Sequence, residues 1–248
     1  MDTNQQTGKD KTLVSRRAKV SREIRRIAAQ GRRVLMSLRL SNRWDTTAGG
    51  VSGKVYKDYE TYRKHQALKL DAHRDKSIRR HDARFYSALR DRLQALPMNF
   101  AGSRVLCLAA RQGTEVRAFM DEGAFAVGID LNPGRDNRYV MVGDFHDLQF
   151  ADATVDVVFT NSLDHAFDLG RILSEVRRVL AGDGILICEA GRGTSKDGAP
   201  GFYESFTWET VDALLERITE AGFRLEHRTP FEVPWSGEQL VLKKALDG

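Results

Sequence analysis

The chain has 248 residues, two cysteines and 41% hydrophobic residues, a globular composition long enough for one large domain or a domain with an extension. Two cysteines exclude a disulfide framework, no apolar run approaches the ~20 residues that span a bilayer, and the N-terminus shows no apolar signal segment, so the expected compartment is the cytoplasm. Charge is divided sharply: residues 1–104 hold 25 Lys and Arg against 10 Asp and Glu, a surplus of +15, while residues 105–248 hold 14 against 24, a deficit of −10, which together give the net charge of +5.

Residues 1–11 are polar and predicted to be disordered. From 12 to 40 the chain is basic, and Val20, Ile24, Ile27, Ala28, Val34, Leu35 and Leu38 recur at three- and four-residue spacing, predicting an amphipathic helix with arginines and lysines on its other face. Such a helix docks on the body, lies on a membrane surface or meets an anionic partner such as nucleic acid; no RNA-binding motif accompanies it. Asp45–Lys54 is rich in glycine and threonine and reads as a flexible break.

A helical region is predicted over roughly 55–96. Tyr56, Tyr59 and Tyr62 fall at i, i+3 and i+6, and Phe85, Leu89, Leu93 and Leu96 form an apolar stripe. His65, His73 and His81 recur every eight residues, a spacing that drifts by about 80° per step on a helix, so they do not converge and no metal site is expected. Pro97 and Gly102 separate this region from the first predicted strand.

The stretch 104–130 reads strand, turn, helix, strand. Residues 104–109 are an apolar run suited to a strand buried on both faces. Ala110–Gly113 form the turn. Thr114–Glu122 place Val116, Phe119 and Met120 on one helix face, closed by Gly123. Phe125–Ile129 form a second apolar strand ending in Asp130. A carboxylate at a strand end suits a ligand with ribose hydroxyls, because the acid accepts two hydrogen bonds from a diol.

Only seven residues separate Asp130 from the next predicted strand, 138–143. That is too few for an ordinary crossover helix, so an open flank is expected there. Val155–Phe159 read as a further strand. A helix is predicted over about 166–180, with Ile172, Leu173, Val176 and Val179–Leu180 inward, and then a strand over Ile185–Cys188 ending in Glu189. Cys107 and Cys188 fall two strand spacings apart in this arrangement, about 9–10 Å, too far for a bridge. The glycine-rich 190–201 lacks phosphate-loop spacing and reads as a substrate loop. Thr207 is the expected N-cap of a helix reaching Ala221, with Thr210 where a capping box wants Glu, and Arg224–Val233 and Gln239–Lys244 read as a closing antiparallel pair.

Four of these stretches in order carry a family resemblance: 104–130; Gly143–Phe145 with Leu148–Phe150; Val155–His165; and Arg178–Ile187. Over roughly 100–245 the chain resembles the class I S-adenosylmethionine (SAM)-dependent methyltransferases. The resemblance implies an α/β fold, a Rossmann-like doubly wound, mostly parallel sheet with a C-terminal antiparallel strand pair. Residues 1–99 would form a basic helical extension or cap and 100–248 the SAM-binding domain.

By the same resemblance the cofactor would lie on Ala109, Ala110, Arg111 and Gly113, on Asp130 and Leu131, on Asp144 and Phe145 beside the adenine, and on Asn161 and Ser162. The first motif departs from the family pattern: Cys107 stands where an acid is usual, and Ala109 and Arg111 where glycines are. Arg111 either pairs with the cofactor's methionine carboxylate or stands as a solvated turn residue. Helices ahead of the first strand commonly fold over the cofactor, so the tyrosines either line the pocket or pack as core.

Methyl transfer from a sulfonium is an in-line displacement in which the protein mainly positions the nucleophile. Where a proton must leave the acceptor, Asp164, His165 and Glu189 are the candidate bases. The expected acceptor is a small metabolite, a glycan or a lipid head group. RNA, reached through the basic N-terminal third, is the alternative, as are a non-catalytic scaffold that keeps the fold and a nicotinamide oxidoreductase, the last disfavoured by the missing GxGxxG.

Overall fold

A computed structural model of the chain describes residues 43–47, 49–72 and 76–245, together with positions 20, 21, 24, 27, 28, 31 and 35; side chains at 68–72 and 76–81 are outside the description. The expectation of disorder over 1–11, and the side chains of His73 and His81, fall outside the described residues. The described positions between 20 and 35 are helical, and Val20, Ile24, Ile27 and Leu35 are exposed.

Seven strands form the central sheet. They are β3 (Arg104–Leu108), β4 (Phe125–Asp130), β5 (Val140–Val142), β6 (Val155–Thr160), β7 (Leu180–Gly191), β9 (Phe223–Phe231) and β10 (Gly237–Lys244), in the order β5-β4-β3-β6-β7-β10-β9. The first five are mutually parallel, and β10 runs antiparallel to both β7 and β9. The predicted closing pair is therefore present, and the sheet is the doubly wound, mostly parallel one expected.

Alternation sorts the strand residues onto two faces. Leu106, Leu108, Val158, Leu186, Cys188 and Leu240 pack on one side against α4 (Leu169–Val179) and α6 (Val211–Glu220). Val105, Cys107, Val157, Phe159, Ile187 and Val241 pack on the other against α2 (Lys76–Ala95) and α3 (Thr114–Asp121). The stripe Phe85, Leu89, Leu93 and Leu96 is buried there as its spacing predicts. Both cysteines are buried free thiols. They lie on β3 and β7 with β6 between them, and they face opposite sides of the sheet.

The link from Asp130 to β5 contains no helix, so the sheet edge is open, with Met141 and Val142 exposed.

Three local expectations differ. The glycine-rich 45–54 is not a loose break but a hairpin, β1 (Trp44–Thr47) and β2 (Val51–Lys54), turning at Gly49 and Gly50 with φ of 87° and 70°. The hairpin closes where Thr47 pairs with Val51, glycine takes the left-handed positions of such a loop freely, and β2 also pairs with β8 (Phe206–Trp208). Thr207 therefore sits in a strand, and Thr210 caps α6, its hydroxyl accepting from the Ala213 N–H at 3.3 Å. Finally, β7 begins at Leu180, straight after α4, with 181–184 forming an irregularity between Leu180 and Ile185 as both pair with β6.

Candidate functional site

The site lies at the carboxyl edge of β3, β4 and β6, where open α/β sheets bind ligands. The loop after β3 is its foundation. Ala109, Arg111 and Gly113 all take left-handed backbone, with φ of 52°, 42° and 78°. Glycine does this freely, whereas a side chain costs roughly 1–2 kcal/mol. The loop thus keeps a glycine-type course through two residues that resist it.

What holds it is a set of polar contacts. Asp130 accepts the Arg111 N–H at 3.0 Å on one oxygen and the Asn132 N–H at 2.8 Å on the other. Asn137 donates to the Arg111 carbonyl at 2.9 Å. Gly113 must be glycine for a second reason: a Cβ there would lie 2.5 Å from Cβ of Tyr139.

Two cavities flank this loop. The larger, about 360 Å³, lies between the loop, α2, β7 and the 191–208 segment, with Phe85, Trp208 and Trp235 among its walls. The smaller, about 50 Å³, lies between Asp130, Leu131, Phe145 and Ala109, and is roofed by Tyr62 and Gln66 of α1 (Tyr59–Ala72). Arg111, Ser162 and His165 line both.

The predicted residues distribute accordingly. Ala110 and Asn161 line the larger cavity, and Leu131, Asp130 and Phe145 the smaller. Asp144 forms an Asx turn, accepting from the His146 backbone and ring at 2.9 Å each, and its other oxygen takes the Tyr59 hydroxyl. Burial alone would raise this carboxyl; the bonds from His146 and Tyr59 outweigh it and hold the pKa down near 2. The three tyrosines form one aromatic cluster, Tyr62 lying 5.5 Å from Tyr56 and 5.3 Å from Tyr59 between ring centres.

Asp164 and His165 form the 3-10 turn after β6, His165 Nε2 lying 3.5 Å from Asp164. Its Nδ1 is 2.9 Å from the Tyr203 carbonyl, an acceptor only, so Nδ1 carries the proton and donates. The Tyr62 hydroxyl donates to the His165 carbonyl at 2.9 Å.

Glu189 is differently placed: both oxygens are taken by Arg92, at 2.7 and 2.8 Å, and one also by Gln239 at 2.9 Å. Burial raises its pKa against these partners. A carboxylate engaged on both oxygens has little capacity left to take a substrate proton.

Sequence reasoning missed Glu115, on the first turn of α3. It is buried, lines the larger cavity and receives the Asn161 amide at 3.4 Å. Burial pushes its carboxyl up to about 7. An acid in a helix's first turn ordinarily signals only a favourable dipole position, so no pattern distinguished it. Arg92 was likewise hidden among the many basic residues of the first third. Among the described residues no group of three or more His, Cys, Asp or Glu is arranged to hold a metal ion, and no helix is long and apolar enough to cross a membrane.

Residues 106–188 match the family model described as a methyltransferase domain. Solved structures share the fold. The chain aligns with the Burkholderia thailandensis 1,6-didemethyltoxoflavin-N1-methyltransferase, solved with 1,6-didemethyltoxoflavin and S-adenosylhomocysteine, at 15% identity over 82% of this chain and 99% of that one, TM-score 0.61. A Haloferax volcanii putative methyltransferase, solved in complex with the Trm112 methyltransferase activator, aligns at 22% identity over 73% and 97%, TM-score 0.55. The 4+2 cyclase SpnF aligns at 15% identity over 64% and 81%, TM-score 0.53. No curated protein is a significant sequence match to the chain.

Proposed function

We propose that this chain, whose residues 106–188 match the methyltransferase-domain model, transfers a methyl group from SAM to a small acceptor. The observation that carries the reading is the left-handed loop at Ala109–Gly113, tied to Asp130 and set between two cavities.

The donor chemistry fits such a cofactor. Each Asp130 oxygen accepts one backbone N–H, and a carboxylate offers about four lone-pair sites, which leaves two for a ribose diol. Leu131 and Phe145 supply an apolar wall for a base, and Arg111, between the cavities, a cation for a carboxylate. When bound, the cofactor supplies an electrophilic methyl group. The residues of this chain hold the acceptor in line, exclude water with the α1 roof, and take a proton where one must leave.

Of the three candidate bases, His165 is the best placed. Its Nδ1 is fixed by Tyr203, leaving Nε2 beside Asp164 at the junction of the cavities. Glu189 serves as a strut between β7 and α2. The acceptor is read as a small metabolite, glycan or lipid head group from the 360 Å³ cavity with its aromatic walls. The sequence before residue 43, rich in Lys and Arg, is read as a contact for an anionic partner, a membrane surface or nucleic acid, and 1–99 as the cap of the 100–248 domain. The reaction is assigned to the cytoplasm.

A second reading, a protein that keeps the fold without methyl transfer, is favoured by Cys107 in place of the usual acid. Methyl-labelled SAM incubated with pooled small-molecule, glycan and lipid fractions separates the two. Label transfer that falls at least tenfold in Arg111→Ala supports the methyltransferase; S-adenosylhomocysteine binding without transfer to any fraction favours the second reading.

A further inference from the structure

Glu115 is the group that the site as described leaves unused. It stands on the first turn of α3, only 8% exposed, in the wall of the larger cavity. The charged and titratable groups facing it come from each neighbouring element: Arg111 from the loop, Asp82 from α2, Glu189 from β7 and the Cys107 thiol from β3. Its carboxyl accepts the long contact from the Asn161 amide and a hydrogen bond from its own backbone N–H.

Arg111 is the cation that faces Glu115. Arg92 is bound by Glu189, and Arg192 pairs with Asp197 at 2.8 Å. A buried carboxyl on a cavity wall, faced by two further acids and by one cation, can receive a further positive charge from a ligand. Arg111, four residues earlier in the chain, presents the opposite charge to the same cavity and to its neighbour.

We infer that Glu115 receives the ammonium, and Arg111 the carboxylate, of a ligand with an α-amino-acid tail lying where the two cavities meet. The inference rests on the proposed cofactor, whose methionine end is such a tail. It gives the chain an acid beside Cys107, carried by the helix after the loop instead of by the strand before it. The alternative use of Glu115, as proton acceptor for the methyl acceptor, is separated from this one by the test.

The test is calorimetric titration at pH 7 of the wild type, Glu115→Gln and Glu115→Asp. The ligands are S-adenosylhomocysteine and 5′-methylthioadenosine, which lacks the amino-acid tail, each measured in two buffers of different ionisation heat. A carboxyl raised toward neutrality by burial is partly protonated before binding, and an arriving ammonium drives that proton off, so the wild type releases protons with S-adenosylhomocysteine.

Glu115→Gln is expected to release none, to bind S-adenosylhomocysteine about tenfold or more weakly, and to bind 5′-methylthioadenosine within about twofold of the wild type. Glu115→Asp retains proton release. Equal S-adenosylhomocysteine affinity in wild type and Glu115→Gln overturns the assignment and leaves the cofactor reading standing. Equal loss of both ligands also overturns it, because the effect is then not specific to the tail. Failure of the wild type to bind either nucleotide overturns the cofactor reading itself.

Discussion

Arg92 of α2 grips Glu189 of β7 through both carboxylate oxygens, at 2.7 and 2.8 Å, where the Glu189 side chain has no solvent exposure. The same guanidinium donates to the Val233 carbonyl at 2.7 Å and lies 4.2 Å from the centre of the Phe231 ring. One side chain thus ties α2 to β7 and to the end of β9. Arg92→Met strands a buried carboxylate and is expected to cost about 3–5 kcal/mol in urea denaturation. The double variant Arg92→Met/Glu189→Gln recovers a substantial part of that loss, because neither partner is then left charged. Equal destabilisation by the single and double variants would show that the pair acts through packing alone.

The loop at 109–113 makes a prediction of opposite sign. Ala109 holds φ at 52°, so Ala109→Gly removes a strain of roughly 1–2 kcal/mol. It also frees the unfolded chain, which offsets about 0.4–1 kcal/mol. Thermal unfolding should register a net gain of up to about 1.5 kcal/mol. Gly113→Ala should instead destabilise markedly, since its Cβ would meet Tyr139 Cβ at 2.5 Å with φ at 78°.

Tyr59 sets a test of the adenine side. Its hydroxyl donates to an Asp144 oxygen that the resemblance assigns to the adenine amino group. Tyr59→Phe frees that oxygen. With one neutral hydrogen bond worth about 0.5–1.5 kcal/mol, S-adenosylhomocysteine should bind about two- to tenfold more tightly to the variant by calorimetry. Unchanged or weaker binding would show that the amino group does not use that oxygen, or that the hydroxyl itself serves the ligand.

Glu115 also governs a pH dependence. Burial raises its carboxyl from 4.5 to about 7 in the folded chain. Between those values the native state binds a proton that the unfolded state has lost, so stability falls as pH rises through this window. The full difference is about 3 kcal/mol, lost by pH 8. Glu115→Gln should flatten that part of the profile and be more stable than the wild type at pH 8, read from denaturation curves at pH 5, 6, 7 and 8. Parallel wild-type and variant profiles would place the titrating group elsewhere.

The sheet was legible in the sequence because β3, β6 and the core of β7 are short apolar runs buried on both faces, and because Asp130 and Asp144 each close an apolar run. The missing crossover helix was legible from a seven-residue gap. The β1–β2 hairpin was not legible: its glycines and threonines carry no apolar periodicity, and its partner β8 lies more than 150 residues away. The cap at Thr210 was masked by Thr207, because strand pairing with Ser52 decides between them. Glu115 and Arg92 were invisible for a common reason. Their roles depend on what the fold brings opposite them, and residue type and spacing are silent on that.

The central claim is that Asp130 and the loop beside it hold an adenosyl cofactor. The most direct measurement is calorimetric titration of the full chain and of Asp130→Ala with S-adenosylhomocysteine, with NADH as control. The account predicts micromolar binding of S-adenosylhomocysteine, weakened at least tenfold by Asp130→Ala, and none of NADH. Binding of NADH in preference, or S-adenosylhomocysteine affinity indifferent to Asp130→Ala, would contradict it.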